Sequence, residues 1–305
     1  MRVAIIQLTS NNEIRENEAL VAEALRRIEA SGVELVVFPE NVWFMRLAED
    51  DALPDFGAAS AGAFRAALQK WADKNSAAVV LGSVPLGREL GGKPYAATVA
   101  FVPGQEWSVP YSKIHLFDVD VAGHRPVRES DHLKPGSGSA IWEYKGWRFG
   151  CAICYDVRFS ELFSQYAAEN VDALFLPSAF LVPTGRQHWE ILVRARAIES
   201  QAYMLAPAQS GDHGESLGGT ASTLPAAPSA LPAGPIAAPR KTYGRSMVVD
   251  PWGRIVAAAA AEKSGVEVLI ADLSKEEIAK VRMQIPMQAH RRLAPHRRLA
   301  PQQSK

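Results

Sequence analysis

At 305 residues, with 48% hydrophobic and 22% charged side chains, the chain has a globular composition and enough apolar material for a sizeable core, which excludes disordered and collagen-like classes. Its 33 Lys and Arg offset 33 Asp and Glu, so no strong overall field favours nucleic acid or a membrane surface, and neither is expected as a partner. The opening apolar run at 3–8 is too short for a signal-peptide core, no later run approaches the ~18 residues of a membrane span, and two cysteines are too few for a disulfide framework, so a soluble cytoplasmic protein is expected.

In chain order, residues 3–8 predict a buried strand, 17–30 a helix with Leu20, Ala24, Leu25 and Ile28 on one face, and 33–38 a second strand stopped by Pro39. A helix at 62–75 and strands at 77–81 and 97–102 follow. The second half predicts strands at 147–153, 173–176, 202–206, 246–249 and 266–272, with helices at 160–169, 185–200 and 275–284. This is an α/β layout. The runs Leu35-Val36-Val37-Phe38 and Leu174-Phe175-Leu176 are apolar on both faces, which argues against a sheet with one wet side. Two facing sheets and a single sheet between helices both satisfy that pattern.

Two stretches depart from it. Residues 211–240 are built mostly of Gly, Ala, Ser and Pro, the composition of a mobile surface insertion. His290-Arg291-Arg292-Leu293-Ala294-Pro295 is repeated as His296-Arg297-Arg298-Leu299-Ala300-Pro301, so 289–305 is expected to be a disordered basic tail after a single domain at 1–288.

Three places could carry chemistry. At Gly150-Cys151-Ala152-Ile153-Cys154-Tyr155-Asp156-Val157-Arg158-Phe159 a buried strand runs into polar residues and then a helix, a junction where a thiol can project into a cleft with backbone N–H groups beside it. The Cys-x-x-Cys spacing also admits a redox or metal reading, although Cys151 and Cys154 would face opposite sides of an extended strand and no second pair exists. Glu40 follows the apolar strand and Pro39; burial beside a thiol would raise its pKa and suit it to proton transfer. Lys113 sits in the apolar segment Tyr111-Ser112-Lys113-Ile114-His115-Leu116-Phe117-Asp118, where a fixed ammonium could hold an oxyanion, and His115 invites a Cys–His protease reading.

Taken in that order, Phe-Pro-Glu, Lys-x-His-Leu and Cys-Tyr-Asp-x-Arg-Phe resemble the nitrilase-like carbon–nitrogen hydrolases. The resemblance runs from the first strand to about Pro286 through Pro177-Ser178-Ala179-Phe180, His188-Trp189-Glu190, Arg194 to Glu199 and Ser246 to Gly253. It implies a four-layer α-β-β-α sandwich that assembles as a homodimer or larger homo-oligomer and needs no metal or organic cofactor. Carried over, Glu40 becomes the general base, Lys113 the oxyanion stabiliser, Cys154 the nucleophile and Glu129 a fourth polar residue that orients the lysine and substrate. The implied reaction is thioester-mediated hydrolysis of an amide with release of ammonia, the Tyr155 backbone N–H assisting Lys113.

Arg158, four residues past the cysteine, could grip a substrate carboxylate, or pair internally with Asp156 or Glu161. The motifs are similar to the branch holding deaminated glutathione amidases and, next, omega-amidases acting on 2-oxoglutaramate. Arg245 stands where that branch commonly has His. A nitrile or N-carbamoyl hydrolase is the nearest alternative chemistry, and a non-catalytic scaffold on the same sandwich the alternative of another class.

Overall fold

The structure, a computed structural model, describes residues 1–48, 51–87, 92–120, 127–214 and 240–292. Most of the 211–240 insertion and all of the tail beyond Arg292 lie outside those residues. Two six-stranded sheets organise the chain. The first runs, edge to edge, through Glu267–Asp272, Arg2–Gln7, Leu35–Val37, Ala78–Leu86, Tyr95–Phe101 and Ser108–Ser112. The second runs through Ile255–Ala258, Met247–Val249, Tyr203–Ala206, Ala173–Phe175, Trp147–Cys151 and Ile141–Tyr144.

Strand alternation explains how the sheets stack. Val3, Ile5, Leu35, Val37, Ala78 and Val80 belong to the core shared with the second sheet. Their neighbours Ala4, Ile6, Val36, Phe38, Val79 and Leu81 pack instead with Val21, Ala24 and Leu25 of the Ile14–Arg27 helix and Phe64, Leu68 and Ala72 of the Gly62–Asn75 helix. Side chains two apart share a face, so each strand serves two cores at once. That is why its run is apolar throughout. On the far side, Leu162, Phe163 and Tyr166 of the Ser160–Ala168 helix and Val193 and Ala197 of the Glu190–Ser200 helix cover the second sheet. The architecture is thus helices, sheet, sheet, helices, the α-β-β-α sandwich.

Parallel order in the middle of each sheet puts the ends of several strands at one rim. Leu35–Val37 lies parallel to both Arg2–Gln7 and Ala78–Leu86, and Ala173–Phe175 parallel to both Trp147–Cys151 and Tyr203–Ala206. Just past those ends the sheets meet: Leu8, beyond the Arg2–Gln7 strand, bridges to Gln209, beyond the Tyr203–Ala206 strand. Gly82 permits the approach, because a Cβ there would lie 2.2 Å from Pro177 Cβ and 2.3 Å from the Phe38 carbonyl oxygen.

Several expectations shift by a turn or a few residues. The first helix covers Ile14–Arg27 rather than 17–30, and the Ala78–Leu86 strand runs on through Gly82 and Pro85. The helix expected at 185–200 begins as a π-helical turn, Gly185–Trp189, before the α-helix Glu190–Ser200. The strands Ser108–Ser112, Ile141–Tyr144 and Ile255–Ala258 were not anticipated from the pattern. The 211–240 stretch leaves from and returns to a two-stranded ribbon, Ser210–Asp212 with Lys241–Tyr243. Among the described residues, no helix is long and apolar enough to cross a membrane.

Candidate active site

The strand ends at the sheet junction deliver the predicted site residues. Leu35–Val37 leads through Phe38 and Pro39 to Glu40, which is buried, and Asn41 then takes a left-handed backbone at φ 55° with its N–H on Ser83 Oγ at 2.9 Å. From behind, Gln209 fixes the Glu40 backbone: its Nε2 donates to the Glu40 carbonyl at 2.9 Å and to Ser10 Oγ at 2.9 Å. Lys113 follows the Ser108–Ser112 strand, its N–H on the Ala96 carbonyl at 2.9 Å and its own carbonyl accepting from the Gly136 N–H at 2.8 Å.

The Lys113 ammonium has no solvent exposure, and its three donors match three oxygens. It lies 2.8 Å from Glu40 Oε1 and 2.9 and 2.8 Å from the two oxygens of Glu129. Glu129 is anchored in turn by the Phe117 N–H at 2.8 Å on its Oε2. Burial alone would drive the lysine pKa down, but the charges of Glu129 and Glu40, with Cys154 nearby, outweigh it and hold the ammonium well above the usual lysine range.

Cys154 opens the short 3-10 turn Cys154–Arg158 directly after the strand end, with φ 46°. A left-handed non-glycine backbone is uncommon and costs on the order of 1–3 kcal/mol, a strain met most often where a reacting side chain must be aimed. Its N–H bonds the Pro177 carbonyl at 2.9 Å, which pins the turn to the neighbouring loop. The thiol lies near enough to the Glu40 carboxylate and the Ala179 N–H for both to act on its proton. Burial first, and then the charge of Glu40, push the thiol well above its ordinary range, against the partial pull of Lys113 and the Ala179 N–H. At rest the site therefore favours a protonated thiol, with the Glu40 carboxylate beside it.

The other residues sort out around this centre. Cys151 is fully buried, and burial pushes its thiol to about 12, so it packs as an inert hydrophobe. Both cysteines are free, and among the described residues no cluster of His, Cys, Asp and Glu is arranged to hold a metal ion. His115 does not serve the thiol: its Nδ1 lies 2.8 Å from Asp156 Oδ1 and its ring stacks on Phe159, with centroids 3.6 Å apart. Arg158 is half-buried, its guanidinium over the rings of Tyr155 and Phe180, and it donates to His188 Nδ1 at 3.3 Å. Asp156, an internal partner considered for it from sequence, is engaged elsewhere. Arg245 reaches Glu190 and the Ala259 carbonyl. The Ala179 N–H and Gln209 are contributors that side-chain motifs did not single out, and Asp156 entered the sequence reading only as a partner for Arg158.

An acid, an ammonium and a thiol, all buried at one rim, can perform acyl transfer from nitrogen to sulfur. The carbon-nitrogen hydrolase family matches residues 2–283. The chain belongs to that family. It is a hydrolase of carbon–nitrogen bonds other than peptide bonds. A deaminated glutathione amidase of Synechocystis is 32% identical over 291 residues, spanning 94% of this chain and 97% of the relative. Omega-amidase NIT2 of Danio rerio is also 32% identical, spanning 95% and 94%. Among solved structures, yeast Nit3 is 27% identical with a TM-score of 0.71 over 94% of each chain. The C. elegans NitFhit protein is 30% identical with a TM-score of 0.75, covering 95% of this chain but 65% of that longer one. The fold of this carbon-nitrogen hydrolase is that of its nitrilase-superfamily relatives.

Proposed function

We propose that the enzyme hydrolyses a small amide carrying a free carboxylate, with deaminated glutathione as the first candidate substrate and 2-oxoglutaramate as the second. The observation that carries the reading is Lys113 held between Glu40 and Glu129, with the Cys154 thiol close enough for the charges of both Glu40 and Lys113 to act on it. In the proposed course, Glu40 takes the Cys154 proton as the sulfur attacks the amide carbon. One Lys113 N–H, turned from Glu129, and the Tyr155 backbone N–H hold the oxyanion. Glu40 then returns the proton to the departing nitrogen as the C–N bond breaks, leaving a thioester. Water, deprotonated by Glu40, attacks next; the carboxylic acid leaves and the proton goes back to sulfur. The departing group is ammonia from a primary carboxamide and an amino-acid nitrogen from deaminated glutathione.

Arg158 is the proposed carboxylate grip. Its guanidinium is aimed by two aromatic faces beside the nucleophile turn, and a guanidinium binds a carboxylate in bidentate fashion. We further propose that two copies pair through the helix face bearing Ile191 and Ile198, which are 69% and 46% exposed. They lie seven residues apart, so on one side of the helix, and Ile198 rests on Gly253 next to exposed Trp252. A reduced thiol nucleophile fits a cytoplasmic location.

The test is to offer the purified protein deaminated glutathione, 2-oxoglutaramate and a neutral aliphatic amide side by side. Turnover of the acids is expected, falling by about 1,000-fold or more in Cys154→Ala and Glu40→Gln. Arg158→Ala should raise KM for the acids and leave the neutral amide unchanged; equal effects on both would overturn the carboxylate assignment.

A further inference from the structure

One buried carboxylate holds the nucleophile turn and the lysine segment together. Asp156 has no solvent exposure, and each of its oxygens accepts twice. Oδ2 accepts from the Tyr111 hydroxyl and the Ile153 N–H, both at 2.8 Å. Oδ1 accepts from the His115 N–H at 3.1 Å and lies 2.8 Å from His115 Nδ1. Its lone pairs are therefore all used.

The partners are placed on either side of the reacting groups. Tyr111 and His115 flank Lys113 at two residues each way, while Ile153 immediately precedes Cys154, and Asp156 itself lies two residues after it. These segments come from different sheets. Ser108–Ser112 is the edge strand of the first, and Trp147–Cys151 belongs to the second. Tyr111 and Asp156 are buried, and the half-buried His115 ring stacks on Phe159, which is in edge contact with Tyr155. Burial, then the charge of Asp156, push the Tyr111 phenol well above its ordinary range, so it stays a donor.

We propose that Asp156 is a positioning residue that sets the separation of the Cys154 sulfur and the Lys113 ammonium by clipping Tyr111, His115 and Ile153 to one carboxylate. It touches no substrate. The clip keeps the attacking atom and the oxyanion donor at a fixed spacing across a sheet-to-sheet gap, where neither strand pairing nor a helix supplies the constraint. Electrostatic help to a developing oxyanion depends on such preorganisation. The proposal rests on the assignment of Cys154 and Lys113 as the reacting groups.

The experiment uses Tyr111→Phe and His115→Phe, each of which keeps a ring and removes one donor, together with Asp156→Asn. Three readouts are taken: kcat and KM on an acid amide and a neutral amide, the alkylation rate of Cys154 by iodoacetamide, and the thermal midpoint. Each Phe variant should lower kcat about tenfold on both amides with KM within about twofold, and Asp156→Asn about 100-fold or more, because ångström-scale misplacement costs that much. Adding Tyr111→Phe to Asp156→Asn should cost little further, since both act through one carboxylate. Unchanged kcat in the two folded Phe variants, or losses that multiply in the double variant, would overturn the proposal. If Asp156→Asn does not fold, the Phe variants decide alone. Should the wild type hydrolyse neither amide, the functional reading fails while alkylation still reports the clip: slower alkylation in the Phe variants supports it and unaltered alkylation refutes it.

Discussion

Lys113 is a fully buried cation whose stability depends on the two carboxylates it separates. Removing it leaves Glu40 and Glu129 facing one another without compensation, and breaking a buried charge set from one side typically costs about 3–5 kcal/mol. Lys113→Met is therefore expected to lower the urea midpoint and abolish turnover together. Glu129→Gln keeps the shape and one oxygen for the ammonium; its expected effect is a kcat loss of about 10–100-fold with KM nearly unchanged, measured by steady-state kinetics. Both follow from geometry at 2.8–2.9 Å and would be contradicted by a Glu129→Gln enzyme of full activity. Glu40, Lys113 and Cys154 were legible in the sequence because each sits in a distinctive local motif, whereas Glu129 came only from the family resemblance. The Ala179 N–H was not legible, since a backbone donor leaves no side-chain signature, and Gln209 lies in an ordinary polar stretch whose partner, the Glu40 carbonyl, is 169 residues away.

At the level of strands and helices, the site depends on how closely two chain segments pass. Gly82 sits mid-strand where any Cβ would collide with Pro177 and with the backbone of Phe38 and Pro39, the segment that delivers Glu40. Because backbone cannot yield as a flexible side chain does, Gly82→Ala should cost about 3 kcal/mol, at the upper end of overpacking effects, and displace Glu40 enough to depress kcat as well. Denaturant unfolding alongside kinetics checks it; a variant as stable and active as the parent would show that the contact relaxes freely. The strand expected at 77–81 runs on through that glycine to Leu86. Periodicity placed the central strands and the long helices well because their burial is regular. It missed Ser108–Ser112, whose pattern of exposed and half-buried residues resembles a loop, and the π-helical turn at Gly185–Trp189, where Gly185 lies tight against Tyr243. Those features answer to distant packing partners rather than to local repeat.

Across the whole molecule, the two sheets are joined at the active-site rim by buried polar side chains, and one of them makes the fold sensitive to acid. His213 lies at the start of the ribbon extension, with Nδ1 2.6 Å from the Ser10 carbonyl and Nε2 2.7 Å from Thr242 Oγ1. A carbonyl only accepts, so Nδ1 carries the proton and Nε2 takes the threonine hydroxyl; the native ring is neutral. Burial, opposed by the Ser10 carbonyl, pushes its pKa down from 6.5 to about 4. Between those values the unfolded chain binds a proton that the folded chain refuses, so stability rises with pH across that interval. The contribution is complete above pH 6.5, lost progressively as pH falls towards 4, and amounts to about 3 kcal/mol for a shift of that size. Ser10 also bonds Gln209, which holds the Glu40 carbonyl, so protonating His213 loosens the same junction that positions the acid. Urea midpoints at fixed protein concentration should therefore fall between pH 7 and pH 4.5 in the parent. In His213→Asn, which retains a donor for the Ser10 carbonyl but does not titrate, they should start lower and fall less steeply; parallel slopes in the two proteins would place the acid sensitivity elsewhere.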